Sequence, residues 1–286
     1  MRLRTVTSAA ILAALILLMF ASHTVVYPIA LSLLAVIAVF EIMRVFELHK
    51  CIPLGIPAYI LAAALPQAAY FLREDFPTFV TVSFISVFVF MIYLFSLTVF
   101  SKGKLTFANI SGVFIMITYV SAAFGTLCAM RHYDSAGLYY IMIVFLASWI
   151  TDVFAYLTGY LFGKHKLIPE VSPKKTVEGA IGGVVFAVLF MILFGFVVSV
   201  VTENIPEVQS MKPDYLVLGI LGAVLSVISQ MGDLFASVIK REHGAKDYGV
   251  IFPGHGGVMD RFDSILLVAL VTMVICMFVK PFVAVL

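Results

Sequence analysis

Residues 237–263 form a polar segment whose side chains could act on phosphate groups. The segment contains two histidines and five glycines and lies between two apolar runs. Eight of its side chains are charged, namely Lys240, Arg241, Glu242, Lys246, Asp247, Asp260, Arg261 and Asp263. Carboxylates bind Mg²⁺, whereas lysine and arginine neutralise phosphate oxygens. The segment therefore indicates chemistry on a polyanionic substrate.

Three aspartates are candidate metal ligands. Asp260 and Asp263 are three residues apart, so they would share one face of a helix. Asp233 lies in the preceding apolar run, where a bare carboxylate is costly and needs a partner or a wet cavity. Together the three predict a hard oxygen site for Mg²⁺, whose shell water and substrate phosphates would complete.

The residues around these aspartates suit a phosphate site. Helical spacing puts Ser229 and Ser237 on the same face as Asp233, and this face leads to Lys240 or Arg241. Gly254, Gly256 and Gly257 would let the backbone approach a phosphate closely. An ionised phosphate nucleophile needs no general base, so we interpret His255 as an orienting or phosphate-contacting residue. His165 and His243 are interpreted as solvated loop residues.

A second basic loop covers residues 161–175 and leads into another apolar run. Its cations are Lys164, Lys166, Lys174 and Lys175, and Ser172 or Thr176 could cap the helix that follows. Flanking lysines at a helix N-terminus indicate an anion site, although a membrane anchor attracting anionic lipid has the same composition. Glu178 suits the first turn of that helix through the helix dipole. Asp152, inside a further apolar run, indicates either a polar cavity or a hydrogen bond between helices.

The high hydrophobic content indicates that these polar residues belong to a membrane protein. Of the 286 residues, 63% are hydrophobic and 12% are charged, against about 45–50% and about 25% in soluble domains. A span needs about 20 apolar residues. We predict an all-α polytopic protein with nine transmembrane helices, over residues 5–22, 25–40, 52–72, 78–100, 107–129, 137–160, 176–201, 214–239 and 264–285. The N-terminal run is interpreted as a retained span, and Pro57 and Pro66 predict an interruption of the third.

The cations predict the orientation. With a cytoplasmic N-terminus, 14 of the 18 lysines and arginines lie in inside segments and four lie outside. Positive residues favour the cytoplasmic side, so the C-terminus would lie outside and the loops 161–175 and 240–263 would face the cytoplasm. We divide the chain into residues 1–130, with about five spans, and a catalytic region, residues 131–286.

Other features narrow the function class. The net charge of +2 gives no reason to expect nucleic-acid binding. Cys51, Cys128 and Cys276 are far apart and match no metal-ligand spacing, so we interpret them as packing residues.

The polar segment resembles the signature of phosphatidate cytidylyltransferases, also called CDP-diacylglycerol synthases. The matching positions are Ser237, Ile239, Lys240, Arg241, Lys246, Asp247, Gly249, Phe252, Pro253, His255, Gly256, Gly257, Val258, Asp260, Arg261, Phe262 and Asp263. Upstream, the similarity includes Ser229-Gln230-x-Gly232-Asp233, Ser172-Pro173-Lys174-Lys175-Thr176-x-Glu178-Gly179 and Asp152-x2-Ala155-Tyr156-x2-Gly159. Residues 1–130 match only as hydrophobic spans.

The resemblance implies that CTP and phosphatidate give CDP-diacylglycerol and pyrophosphate. It implies a homodimer in the bacterial cytoplasmic membrane, a Mg²⁺-dependent site with a second cation, K⁺ or Mg²⁺, and Asp233 and Asp260 as metal ligands with Asp263 nearby. The predicted catalytic set is Asp233, Lys240, Arg241, Lys246, Asp247, Asp260, Arg261 and Asp263. The predicted substrate-binding set is Ser172, Lys174, Lys175, Thr176, Ser229, Ser237, His255, Gly256 and Gly257.

Two alternatives keep the same membrane architecture. A CTP-dependent polyprenol kinase would transfer the γ-phosphoryl group to an alcohol and would need a base. An ion-coupled transporter would use Asp152 and Asp233 as ion ligands, but the internal repeat common in such proteins is absent from the sequence. A CDP-alcohol phosphotransferase is set aside because its longer aspartate pattern does not surround Asp260.

Overall fold

The computed structural model describes residues 13–103, 105–205, 209–252 and 256–285. Eight helices in these ranges are long and apolar enough to cross a membrane. They are α1 (Val26–Val45), α2 (Ile52–Phe71), α3 (Phe76–Phe100), α4 (Phe107–Tyr133), α5 (Gly137–Phe162), α6 (Val177–Asn204), α7 (Tyr215–Glu242) and α8 (Met259–Phe278). The prediction of a polytopic α-helical membrane protein is confirmed.

The first predicted span lies partly outside the described residues. Residues 1–12 are not described, and residues 13–20 are helical. The described residues also form four short strands: β1 (Lys166–Ile168), β2 (Ser172–Thr176), β3 (Met211–Pro213) and β4 (Phe282–Ala284). They form two antiparallel pairs, β1 with β2 and β3 with β4. The β1–β2 hairpin contains most of the second basic loop.

Two predictions about helix limits were wrong. The interruption expected at Pro57 and Pro66 does not occur, because α2 runs unbroken from Ile52 to Phe71. Membrane helices tolerate internal proline when neighbouring groups satisfy the freed backbone. The last helix begins at Met259 rather than at residue 264, and it ends at Phe278 because Pro281 follows and the chain continues into β4. Its charged first turn, taken as loop, is therefore helical.

The chain divides into two compact units. Unit 1 contains the described residues up to Tyr133 together with Glu242–Phe262, and unit 2 contains Asp134–Arg241 together with Asp263 and the residues that follow. The polar segment and α8 each contribute to both units.

In unit 1, α1, α2 and α4 pack together through small residues and a few buried polar bonds. Ser32 donates to the Ala63 carbonyl at 2.8 Å, and the Tyr27 hydroxyl donates to the Leu127 carbonyl at 3.2 Å. By contrast, α3 buries only Phe79, Phe90 and Leu94, as suits a helix whose other faces meet lipid. Asp75 caps α3, and the hydroxyl and backbone N–H of Thr78 lower the pKa of this carboxyl by donating to it.

In unit 2, glycines set the distance between helices. A Cβ at Gly182 of α6 would overlap the Thr158 side chain of α5, and one at Gly183 would lie 3.1 Å from the Thr151 carbonyl oxygen. The contact between α6 and α7 is equally close, since a Cβ at Gly222 would lie 2.8 Å from Val188 Cα and 2.9 Å from the Ala187 carbonyl oxygen. Small residues allow this approach in membranes.

Replacing Gly222 should therefore destabilise unit 2. We expect Gly222→Ala to lower the free energy of unfolding by about 1–3 kcal/mol, because the added methyl meets backbone that cannot yield. Gly219→Ala, on the same helix, is the matched control, since the nearest described atom to its Cβ would be Ile192 Cδ1 at 3.6 Å. Thermal unfolding in detergent measures both variants. Equal melting temperatures for the two would contradict the packing described here.

Candidate active site

A cavity of about 590 Å³ in unit 2 is lined by residues of α5, the β1–β2 hairpin, α6 and α7. Its charged lining consists of Asp152, Lys166, Lys174, Lys175 and Asp233. Ser172 and Thr176 also line it. The second basic loop and the aspartate of the seventh described helix thus meet in one space, and Asp152 faces a cavity rather than serving only as a link between helices.

An ion pair joins the hairpin to α7 in this cavity. Lys175 Nζ lies 2.5 Å from Asp233 Oδ2, and the two side chains are 27% and 29% exposed. The Ser237 hydroxyl donates to Asp233 Oδ1 at 3.5 Å, one turn further along α7. Partial exposure leaves both charges accessible to a ligand, while the pairing limits the cost of holding them in an apolar region.

The N-terminus of α6 borders the cavity and is closely packed against neighbouring residues. Thr176 caps the helix by accepting from the Gly179 N–H at 3.1 Å. A Cβ at Gly159 or Gly163 would lie within 2.8–2.9 Å of the Thr176 side chain, and one at Gly179 would lie 2.6 Å from the Ala155 carbonyl oxygen. The cap thus fixes the helix end beside Lys174 and Lys175, where the helix dipole favours an anion.

Glu178 holds the start of the hairpin in place. Its Oε2 accepts from the backbone N–H groups of Lys164 at 3.1 Å and His165 at 3.2 Å, and its Oε1 lies 2.6 Å from His165 Nδ1. The interpretation of His165 as a solvated loop residue is confirmed, since its side chain is 78% exposed, and the residue also pairs with Glu178. The position of Glu178 in the sequence predicted that it would lie in the first turn of the helix. Its hydrogen bonds to residues 164 and 165 could not be predicted from spacing.

Further charges in unit 2 act on the same region. Asp263 is close enough to Asp233, Lys240 and Asp152 for their charges to interact. Its Oδ1 accepts from the Ser264 N–H at 2.8 Å, and the Lys240 side chain is buried. Ser229 is fully buried, and its hydroxyl has no hydrogen-bond partner among the described residues.

Unit 1 contains the second group of predicted site residues, centred on Asp260. Its Oδ2 accepts from the N–H groups of Tyr248 at 2.8 Å, Gly257 at 3.0 Å and Gly249 at 3.3 Å. Gly256 has a φ of +83°, and a Cβ there would lie 2.7 Å from Asp260 Oδ2. Asp260 therefore holds the loop that precedes it in this conformation.

The remaining charged residues of the polar segment lie at the surface. Lys246, Asp247, Arg241 and Arg261 are exposed, which suits cations that meet a soluble anion. The predicted residue His255 lies outside the described residues.

Glu41 of α1 contacts the polar segment, and the sequence did not predict this contact. It is 1% exposed, and its two oxygens accept from Val258 N at 3.1 Å and Met259 N at 2.9 Å. Arg44, one turn later, donates to the Tyr248 carbonyl at 2.7 Å. The available signal was a lone carboxylate beside an apolar run, but nothing in the sequence linked it to residues more than 200 positions away.

The predicted three-carboxylate metal centre remains a prediction. In neither unit do the described residues bring three His, Cys, Asp or Glu side chains into one metal-binding group. Asp233 and Asp263 nevertheless provide hard oxygen donors in unit 2 that interact electrostatically. Mg²⁺ commonly uses one or two protein carboxylates with water and phosphate oxygens, so this donor set fits the ion.

Comparisons with known proteins agree on one family. A model of the cytidylyltransferase family matches residues 2–279. A phosphatidate cytidylyltransferase of Staphylococcus saprophyticus is 39% identical over 215 residues, 73% of each chain. One from Staphylococcus haemolyticus is 34% identical over 279 residues, covering 94% of this chain and 96% of the relative. One from Bacillus subtilis is 33% identical over 245 residues, 85% of each chain.

Proposed function

The chain belongs to the cytidylyltransferase family, and from that premise we propose that it makes CDP-diacylglycerol and pyrophosphate from CTP and phosphatidate. The observation that carries this proposal is the cavity of unit 2, where Lys166, Lys174 and Lys175 line the same space as Asp233 within a membrane-spanning unit. A lipid phosphate and a nucleotide phosphate both need cations, and a lipid substrate needs a site at a membrane helix.

The reaction is a displacement at phosphorus. An oxygen of the phosphatidate monoester forms a bond to the α-phosphorus of CTP, and the bond from that phosphorus to the bridging oxygen breaks. Pyrophosphate leaves with the electron pair. The second pKa of a phosphate monoester is about 6, so the nucleophile is already ionised at neutral pH and needs no base.

The chain's own residues contribute position and charge. Lys174, Lys175 and the capped N-terminus of α6 would neutralise phosphate oxygens brought into the cavity. Lys175 is paired with Asp233, so an arriving phosphate would compete with the aspartate for its ammonium group. Exposed Lys246 and Arg261 of the polar segment would neutralise further phosphate charge.

A magnesium ion would be held by Asp233 with Asp263 in unit 2. When bound, Mg²⁺ neutralises charge that develops on phosphate oxygens during transfer. The second cation, K⁺ or Mg²⁺, and the homodimer remain proposals that rest on the family resemblance.

The distribution of cations supports a cytoplasmic site. With the N-terminus inside, the β1–β2 hairpin and the polar segment face the cytoplasm, where CTP is present, and the C-terminus faces outside. The similar proteins are bacterial, so we place this protein in the bacterial cytoplasmic membrane.

CTP labelled at different phosphates tests the reaction. With phosphatidate, purified protein and Mg²⁺, we expect label from the α-phosphate to enter the lipid and label from the γ-phosphate to leave as pyrophosphate. Label reaching lipid only from the γ-phosphate would instead establish a polyprenol kinase-like phosphoryl transfer. Ion transport into liposomes without any turnover of CTP would favour the transporter.

A further inference from the structure

Glu41 is a buried carboxylate that the proposed phosphate chemistry does not use. Each of its oxygens accepts a backbone N–H, one from Val258 at 3.1 Å and the other from Met259 at 2.9 Å. Met259 is the first residue of α8. A side chain from α1 thus caps α8, at the end where its dipole favours a negative charge.

The Glu41 carboxylate occupies space that is open only because two neighbouring residues are glycines. A Cβ added at Gly249 or at Gly257 would overlap the Glu41 carboxylate. Burying a carboxylate is costly unless hydrogen bonds replace its hydration. Two backbone N–H donors meet that requirement here. Gly249 and Gly257 leave the room that the carboxylate occupies, so the contact depends on these particular residues.

The same loop is held at its other end. Arg44 donates to the Tyr248 carbonyl at 2.7 Å, while the Tyr248 N–H donates to Asp260 at 2.8 Å. Tyr248 itself is fully buried. We name Glu41, Arg44 and Asp260 the loop clamp, because together they fix the backbone on both sides of the loop between Tyr248 and Met259.

We propose that Glu41 is a positioning residue for cytidylyl transfer: it fixes the backbone of the α8 first turn, from which Asp260 and Arg261 extend. The inference rests on the proposed function. A displacement of about 1 Å in a catalytic group can lower a rate on the order of 100-fold. An unfixed first turn would move both groups together.

Kinetics of Glu41→Gln in the full-length protein test the role. The amide keeps the size of the side chain but has one acceptor oxygen in place of two. We expect kcat to fall about tenfold or more at a temperature where the variant, although less stable through the lost cap, is still folded. The apparent KM for CTP should rise and that for phosphatidate should stay, because Lys246 and Arg261 of the clamped segment would meet the triphosphate.

Two further variants sharpen the test. Glu47→Gln is the matched control, since Glu47 is exposed just beyond the end of α1, and we expect wild-type kinetics. Gly257→Ala should lose activity because its methyl meets Glu41. Adding Glu41→Ala removes that obstruction, so the double variant should be no less active than Gly257→Ala, whereas independent effects would multiply.

Trypsin cleavage after exposed Lys246 gives a readout independent of catalysis. We expect Glu41→Gln to be cleaved there faster than the wild type and Glu47→Gln to be cleaved at the wild-type rate. Unchanged cleavage together with unchanged kinetics would overturn the proposal. So would a loss of activity that merely follows a lower melting temperature with both KM values unchanged. A wild type that forms no CDP-diacylglycerol would refute the proposed function, while the cleavage rates would still decide whether Glu41 fixes the loop.

Discussion

Asp233→Asn is expected to lower the rate of CDP-diacylglycerol formation by at least about 100-fold, since changing even an outer partner of a metal ligand costs about 10–100-fold. The substitution removes the negative charge that faces Lys175 at 2.5 Å and interacts with Asp263. It leaves the size of the side chain unchanged. The variant should therefore insert into the membrane and purify as the wild type does.

Initial rates with labelled CTP measure this effect, and Asp75→Asn serves as the control. Asp75 caps α3 in unit 1, and asparagine is an equally good cap, so this control should retain full activity. Asp233→Asn with near-wild-type activity would refute its assignment as a metal ligand.

A double variant separates a metal ligand from a simple counter-ion. If Asp233 served only to balance Lys175, then Lys175→Met combined with Asp233→Asn would be as active as Lys175→Met alone. We expect the double variant to be no more active than Asp233→Asn, because the carboxylate is required in its own right. Recovery of activity in the double variant would assign Asp233 to the ion pair.

The helices were largely predictable from the sequence because a bilayer imposes a simple rule. Each span must satisfy its own backbone and present about 20 apolar residues, so of the nine spans predicted from apolar runs, the eight that transmembrane-length helices of the described residues match agree to within a few residues at most ends. The start of α8 was missed because its cap is Glu41, a side chain from another helix. Caps supplied from a distance leave no local pattern.

The site was predictable as a set of residues but not as a set of contacts. Charge in an apolar chain marked Asp233 and Lys175 separately, because each is costly in a membrane. Their pairing depends on how the β1–β2 hairpin turns against α7, which no spacing rule specifies. Asp260 was predicted from chemistry as a metal ligand, whereas its three backbone hydrogen bonds depend on a loop conformation that becomes visible only in the fold.

Asp260→Asn should also reduce activity by at least about 100-fold, for a reason the structure makes specific. One carboxylate oxygen accepts three N–H groups of the loop, and the proposed role as a metal ligand requires a negatively charged oxygen as well. Asparagine has a single acceptor oxygen, and its amide group repels both N–H donors and cations. The single oxygen of asparagine can accept the hydrogen bonds of the loop or bind a cation, but it cannot fully replace the carboxylate in both roles.

Two measurements identify which role is lost. If Asp260 binds the metal, the Asp260→Asn variant should need more Mg²⁺ for half-maximal activity; if it holds the loop, trypsin should cleave faster after Lys246. We expect both changes, because one oxygen cannot replace two. Glu41→Gln should raise cleavage but increase the Mg²⁺ requirement less than Asp260→Asn does, since Glu41 acts on Asp260 through the backbone: among the described residues, its hydrogen bonds go to the N–H groups of Val258 and Met259. An Asp260→Asn variant that matched Glu41→Gln in both measurements would leave Asp260 as part of the loop clamp alone.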